Sequence, residues 1–172
     1  MTPQEGGVEL NHVDLAGAAH HRLEASGVFQ FVDAVYSVIF RTEQGLARCL
    51  DLVLNYPQGD PAVARLHLKS DGLQWPSCTL RFHFNAEHRV AAAGLTAMDK
   101  DDRRYSWMTR GDAGRADVVL AHDTWNPAET LFPPESFITI PELRQAVGQW
   151  AFGDTLPPPA VRWAAAPELG WF

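Results

Sequence analysis

The chain has 172 residues, 46% of them hydrophobic and 20% charged, with a formal charge of −7. That is the composition of a folded domain rather than a disordered chain, and the length suits one domain spanning 1–172. No run approaches the ~20 apolar residues that cross a bilayer. Glu5, Glu9 and Asp14 precede the first arginine, Arg22. This is unlike the basic-then-apolar layout of a secretion signal, so a cytoplasmic location is expected.

Charge is unevenly placed. Residues 1–40 hold five acids and one arginine, residues 41–116 nine acids and eleven basic residues, and residues 117–172 seven acids and two arginines. An acidic chain is a poor binder of phosphate backbones, which need clustered Lys and Arg. The expected partner is a protein with a basic surface, not nucleic acid or a membrane.

Taken in chain order, residues 14–25 place Leu15, Ala18, Ala19 and Leu23 at helical spacing. Residues 28–40, rich in aromatic and β-branched side chains, predict a strand. Thr42 is placed to cap a helix starting at Glu43, with Leu46, Cys49, Leu50 and Val53 forming one apolar stripe. Pro57 and Gly59 end it.

Ala64, Leu66 and Leu68 alternate with polar residues. In CTLRFHF (78–84), Cys78, Leu80, Phe82 and Phe84 alternate with Thr79, Arg81 and His83, predicting a half-buried strand. Residues 89–98, 104–109 and 117–122 supply three more strand candidates, with turns at 99–102 and 111–114. FITI (137–140) is extended, and Pro141 suits the first position of a second helix carrying Leu143, Ala146, Val147 and Trp150 on one stripe. Gly148 weakens that helix unless a close contact favours it, and Gly153 suits a left-handed terminator. Val161-Arg162-Trp163 makes a last short strand. The predicted fold is α+β, a mainly antiparallel sheet with two amphipathic helices packed on it.

Chemistry is harder to find. Cys49 and Cys78 read as small core residues rather than a disulfide framework. His67, His83 and His122 fall on three different strand candidates, which leaves a converging metal site open. Sheet-face histidines that are solvated or hydrogen-bonded are the plainer reading. Asp99, Asp101 and Asp102 start like a calcium loop, but Arg104 and Arg110 stand where its glycine and terminal acid belong. There is no nucleophile elbow, phosphate loop or dinucleotide fingerprint. No catalytic residue, cofactor or metal is expected, and the chain is not expected to be an enzyme. Six tryptophans are many for this length. Trp150 and Trp163 fit the core, while Trp75, Trp107 and Trp125 lie near turns and strand ends, where aromatic residues also anchor interfaces.

The C-terminal half has an ordered pattern. A tyrosine-led strand with a glycine turn (Tyr105 to Gly111) is followed by Asp117-Val118-Val119-Leu120. An acid–proline stretch (Glu129 to Pro133) leads into PESFITIPELRQAVGQWAFGDTLPPPAVRW (134–163). This resembles the Imm1 family of bacterial immunity proteins. Their extended aliphatic stretch, helix with alanine, valine and an aromatic, glycine turn, proline and final Val-x-Trp fall here on Ile138 and Ile140, Ala146 and Val147, Trp150, Gly153, Pro159, and Val161 with Trp163. The helix from Thr42 to Leu54 fits the family's leading helix, so the matching region is 41–163, between an N-terminal extension (1–40) and a tail (164–172). Trp150 stands where the family more often has phenylalanine, and the three-proline run is longer than usual.

The resemblance implies a protein that binds a cognate toxin, often a nucleic-acid deaminase or another cytotoxic enzyme, and occludes its active site. On that expectation the contact candidates are the acidic turn Asp99, Asp101 and Asp102, then Asp112, with Trp107 and Trp125 nearby. The alternatives are a small metal-dependent hydrolase using the sheet histidines, and a β-sheet domain with an apolar pocket near residues 28–40, Phe82 and Phe84.

Overall fold

A computed structural model describes residues 24–30, 35–40, 42–55, 63–69, 78–98, 101–121, 131–153, 155–167 and 169. Its strands are β1 (Glu24–Gln30), β2 (Val35–Phe40), β3 (Val63–Lys69), β4 (Cys78–Asn85), β5 (Val90–Met98), β6 (Arg104–Arg110), β7 (Ile138–Thr139) and β8 (Arg162–Ala165). Among the described residues the α-helices are α1 (Glu43–Leu54) and α2 (Ile140–Phe152), and a 3-10 turn covers Pro134–Ser136. All pairings are antiparallel, in the order β2-β1-β3-β4-β5-β6-β8, with β7 beside β5. The α+β architecture is as expected, and no helix of the described residues is long and apolar enough to cross a membrane.

Both helices form where their sequences dictate. The Thr42 hydroxyl accepts from the Gly45 N–H, meeting one of the unpaired donors of α1's first turn. Leu46, Leu50 and Val53 are buried, and Cys49 is half-buried beside them. In α2 the cap is reciprocal: Thr139 Oγ1 accepts from the Glu142 N–H, and Glu142 Oε2 accepts from the Thr139 N–H at 2.7 Å. Helix numbering therefore starts at Ile140, and Pro141 takes the second helical position rather than the first. Gly153 ends α2 at φ −83°, an extended rather than left-handed conformation. A Cβ on Gly148 meets nothing within 4 Å, so no close contact explains that glycine.

One face of the sheet carries the main core. Leu80, Phe82, Ala93 and Leu95 pack with the buried stripes of α1 and α2, and with Trp107, Trp150 and Trp163. Trp150 Nε1–H donates to Cys78 Sγ at 3.2 Å and Trp163 Nε1–H to the Pro158 carbonyl at 2.8 Å, so both indoles bury their polar atom with a partner. The opposite face is also covered. Val90, Ala92 and Met108 pack with Val118, Leu120, Phe132, Phe137, Ala166 and Leu169.

Other expectations change or are only partly met by the described residues. Residues 28–40 are not one strand but parts of a hairpin, β1 and β2, paired from Ala25↔Phe40 to Gln30↔Val35. The helix expected over 14–25 lies outside the described residues except for Glu24 and Ala25, which begin β1. β4 is buried almost end to end, Thr79, Arg81 and His83 included, and His83 bonds the Ala121 backbone of the second layer. Of the strand expected over 117–122, the described residues are 117–121; among them only Ala121 makes a bridge, to Leu131, and the rest are irregular.

β5 changes partner along its length: β6 takes residues 94–98, and β7 takes 90 and 91. The buried Thr109 hydroxyl fills the gap, accepting from the Ala93 N–H at 3.0 Å and donating to the Ser136 carbonyl at 2.7 Å. Backbone groups that neither strand can pair are thereby satisfied.

Candidate functional site

Strand β6 separates the candidate acids. Asp101 and Asp102 are exposed at its N-terminal end, where Asp102 adopts φ 60°, a left-handed conformation that short polar residues tolerate. Asp112 lies beyond its C-terminal end. Seven strand residues put these two places about 20 Å apart, so they do not form one acidic patch. Asp99 and Trp125 lie outside the described residues. Trp107 is a correction: it is buried at 4% exposure, stacked on Tyr105 with centroids 5.8 Å apart, in the core rather than on a contact surface. Alternation puts it on the inward face with Leu95, its register partner on β5.

At the Asp112 end lies a concavity of about 420 Å³ lined by Arg110, Asp112, Glu142, Val161 and Arg162 among others. Arg110 and Arg162 are register partners on β6 and β8. Like charges placed directly opposite disfavour a strand pair. Here each has its own acid: Arg162 Nη2 is 3.1 Å from Asp112 Oδ2, and Arg110 Nη1 is 3.5 Å from Glu135 Oε1. These exposed pairs contribute little stability, roughly 0–1 kcal/mol each. What they do is fix an alternating charge pattern.

The backbone beneath is held by hydrogen bonds. Gly111 N–H donates to the Glu135 carbonyl and Ala113 N–H to the Phe137 carbonyl, pinning the segment on both sides of Asp112. Any side chain at Gly111 would run into the Phe137 carbonyl. The rim's other wall is held by Gln149, whose Oε1 accepts from the Ala160 N–H at 2.7 Å. The 111–114 segment, expected as a simple turn, is thus an anchored edge of the site.

A second concavity, about 520 Å³, runs between α1 and α2 over Leu46, Ala47, Leu50, Gly148 and Phe152. Arg144 Nη1 bonds Asp51 Oδ1 at 2.6 Å across the two helices.

Neither concavity assembles a nucleophile with a base. In the charged one, the Thr139 hydroxyl and Glu142 carboxylate are engaged in the helix cap. Burial pushes the Cys49 thiol pKa up, away from the reactive thiolate. Elsewhere, the hydrogen bonds from Arg115 hold Asp117 below the usual carboxylate range, on open surface.

The histidines do not converge among the described residues. His83 is buried, and its Nδ1 accepts from the Ala121 N–H at 2.6 Å. His67 pairs in register with Thr79, four residues from His83 along the sheet, a displacement of about 13 Å. His122 lies outside the described residues. No group of three or more His, Cys, Asp or Glu able to hold a metal occurs among the described residues. Phe82 and Phe84, expected near an apolar pocket, are packed into the helix–sheet core.

Sequence reading missed Arg110, Arg162 and Glu142 as members of a common site. The Thr139-x-x-Glu142 capping signature was there to be read, whereas the Arg110–Arg162 pairing is visible only once β8 is placed beside β6. No family model and no curated protein matches the chain. Among solved structures, it resembles a crystal structure of a hypothetical protein from Neisseria gonorrhoeae, with 10% identity and a TM-score of 0.49 over 79% of this chain and 93% of that one.

Proposed function

We propose that this chain is an immunity protein of the Imm1 type. It binds a cognate bacterial toxin, a deaminase-type or other nucleic-acid-directed effector, and neutralises it by stoichiometric occlusion of the active site. It works in the cytoplasm, without a cofactor, and is not itself an enzyme. The observation that carries this reading is the ordered pattern from Tyr105 to Trp163.

The residues of that pattern are scaffold: Ile138, Ala146, Val147, Trp150 and Trp163 all lie in the main core. A scaffold of this kind leaves surface side chains free to match a particular toxin. The anchored rim of Arg110, Asp112 and Arg162 supports the reading further. Alternating charges favour one partner over others through complementarity, and the pinned backbone beneath them lowers the ordering cost of binding.

The test begins with the neighbouring genes, where a toxin or secreted-effector gene is expected. Co-expression with that toxin should restore growth, and the two proteins should elute as a one-to-one complex. Unrelieved toxicity with no complex on size exclusion refutes the proposal.

A further inference from the structure

On the face of β4 away from the helices, Thr79, Arg81 and His83 are all buried. His83 is 4% exposed, and its register partner on β5, Ala92, belongs to the apolar cluster with Val118, Leu120, Phe132 and Phe137. In this setting the Ala121 N–H donates to His83 Nδ1 at 2.6 Å, which ties the end of the 118–121 stretch to the sheet. A ring nitrogen that accepts carries no hydrogen, so the imidazole is neutral with its hydrogen on Nε2. Any partner of Nε2 leaves this unchanged, because a second proton has only Nδ1 to occupy. An imidazolium donates from both nitrogens, and its Nδ1–H would meet the Ala121 N–H, donor against donor.

The charges around this face are mostly basic. On β4 itself Arg81, 7% exposed, stands two positions away on the same face, about 7 Å along the strand. A like charge in a buried setting disfavours a second proton on the ring. β5 brings no ionisable group, since Val90, Ala92 and Gly94 are the register partners of Asn85, His83 and Arg81. β3 sets Arg65 opposite Arg81 and His67 opposite Thr79. In the second layer, Asp117 is bonded by Arg115, and Glu135 pairs with Arg110. His88 Nε2 is 3.9 Å from Asp117 Oδ2, so protonating His88 adds to that contact instead of loosening it. His122, Asp123 and Glu129 follow Ala121 in sequence, outside the described residues.

We propose that His83 is a proton-operated latch between the sheet and its second layer. Neutral, the ring holds the Ala121 N–H; protonated on Nδ1, it has no acceptor left and the 118–121 stretch opens. Opening frees the ring to charge. The open form therefore gains as pH falls below the ordinary histidine value of about 6.5, and the latch is closed above it. One proton taken up on opening enlarges the open population up to about thirtyfold at about pH 5, relative to about pH 7.5.

Two measurements on the full chain test this. Long-range proton–nitrogen NMR should find His83 protonated on Nε2 alone at about pH 7.5. Amide exchange, corrected for its intrinsic pH dependence, should lose roughly tenfold or more of the protection at Ala121 between about pH 7.5 and about pH 5, while Leu95 in the middle of the sheet keeps its own. His83→Gln, whose side-chain carbonyl can accept from the Ala121 N–H without titrating, should abolish that loss. Asp123→Asn removes the acid nearest Ala121 in sequence and should leave the loss in place. Four results would overturn the latch: a His83 hydrogen on Nδ1 at about pH 7.5, Ala121 protection equal at both pH values, a loss shared equally by Leu95, or a loss that persists in His83→Gln or vanishes in Asp123→Asn. Should His83→Gln fail to fold, the ring's protonation and the exchange of the parent protein decide. The latch is independent of the immunity reading, which a chain indifferent to pH leaves intact.

Discussion

Thr109 offers the sharpest test of how the sheet is held together. Its hydroxyl is fully buried, accepts from the Ala93 N–H at 3.0 Å and donates to the Ser136 carbonyl at 2.7 Å. Thr109→Val keeps the branched shape and removes both bonds. The Ala93 N–H sits where β5 passes from β6 to β7, so neither strand supplies a replacement acceptor. A buried donor left unpaired costs about 2 kcal/mol, and the carbonyl, with its second lone pair, about 1 kcal/mol, giving a loss near 3 kcal/mol. For a chain of this size that lowers Tm by roughly 6–12 °C. Thr109→Ser keeps the hydroxyl and loses one methyl, at a cost of about 1 kcal/mol. Urea and thermal unfolding followed by tryptophan fluorescence and far-UV circular dichroism measure both variants. If the Thr109→Val protein is no less stable than the Thr109→Ser protein, the two backbone groups find other partners and the account of the β6–β7 junction is wrong.

Three further outcomes are expected. Gly148→Ala should raise stability by about 1 kcal/mol in urea unfolding, since the helix gains propensity and the added Cβ enters open space; a loss would mean that the α1–α2 groove is closed in solution. Thr139→Ala should lower stability by about 1 kcal/mol through loss of the reciprocal cap, and amide exchange should quicken first at the start of α2. Carboxyl NMR should find Asp117 titrating below its ordinary 3.8, and Arg115→Ala should move it back up, because the Arg115 hydrogen bonds are the main cause of the shift. A lowered carboxylate pKa favours the folded state above the unfolded value, and that benefit is lost as pH falls through the folded one. An unshifted Asp117 in the parent protein would show that the pair does not persist in water.

Features set by neighbours in sequence were legible, and those set by a second layer were not. The α1 and α2 stripes follow from local periodicity and local caps, so Leu46, Leu50, Val147 and Trp150 were placed correctly. The alternation in β4 was also real, but it implied a solvent face for Thr79, Arg81 and His83. Val118, Leu120, Phe132, Phe137, Ala166 and Leu169 pack on that side of the sheet at Val90, Ala92 and Met108, largely from irregular chain with little periodicity to read. The hairpin within 28–40 escaped notice because residues 31–34, Phe-Val-Asp-Ala, contain neither glycine nor proline. Trp107 lies close to a turn in sequence, yet strand parity carries it inward. The acids around β6 look clustered on paper, and the extended strand is what separates them.

The placement of charge changes where a basic partner should feel this molecule. The described residues hold ten acids and eleven basic groups, so the remaining segments, with eleven acids and three basic groups, carry the whole negative excess. Within the described part, Asp51, Asp112, Asp117 and Glu135 each have an arginine partner. A paired carboxylate presents a short dipole rather than a bare charge, and at physiological salt its field fades within about 8 Å. Asp123 and Glu129, in the segment between Ala121 and Leu131, belong to the acidic excess and flank Trp125 in sequence. If the proposed toxin is met through that segment, Asp123→Asn with Glu129→Gln should slow association several-fold and flatten its salt dependence, while Asp112→Asn should leave the association rate nearly unchanged. Stopped-flow association at two ionic strengths distinguishes the two. Slowing by Asp112→Asn alone would instead move the encounter to the β6–β8 rim.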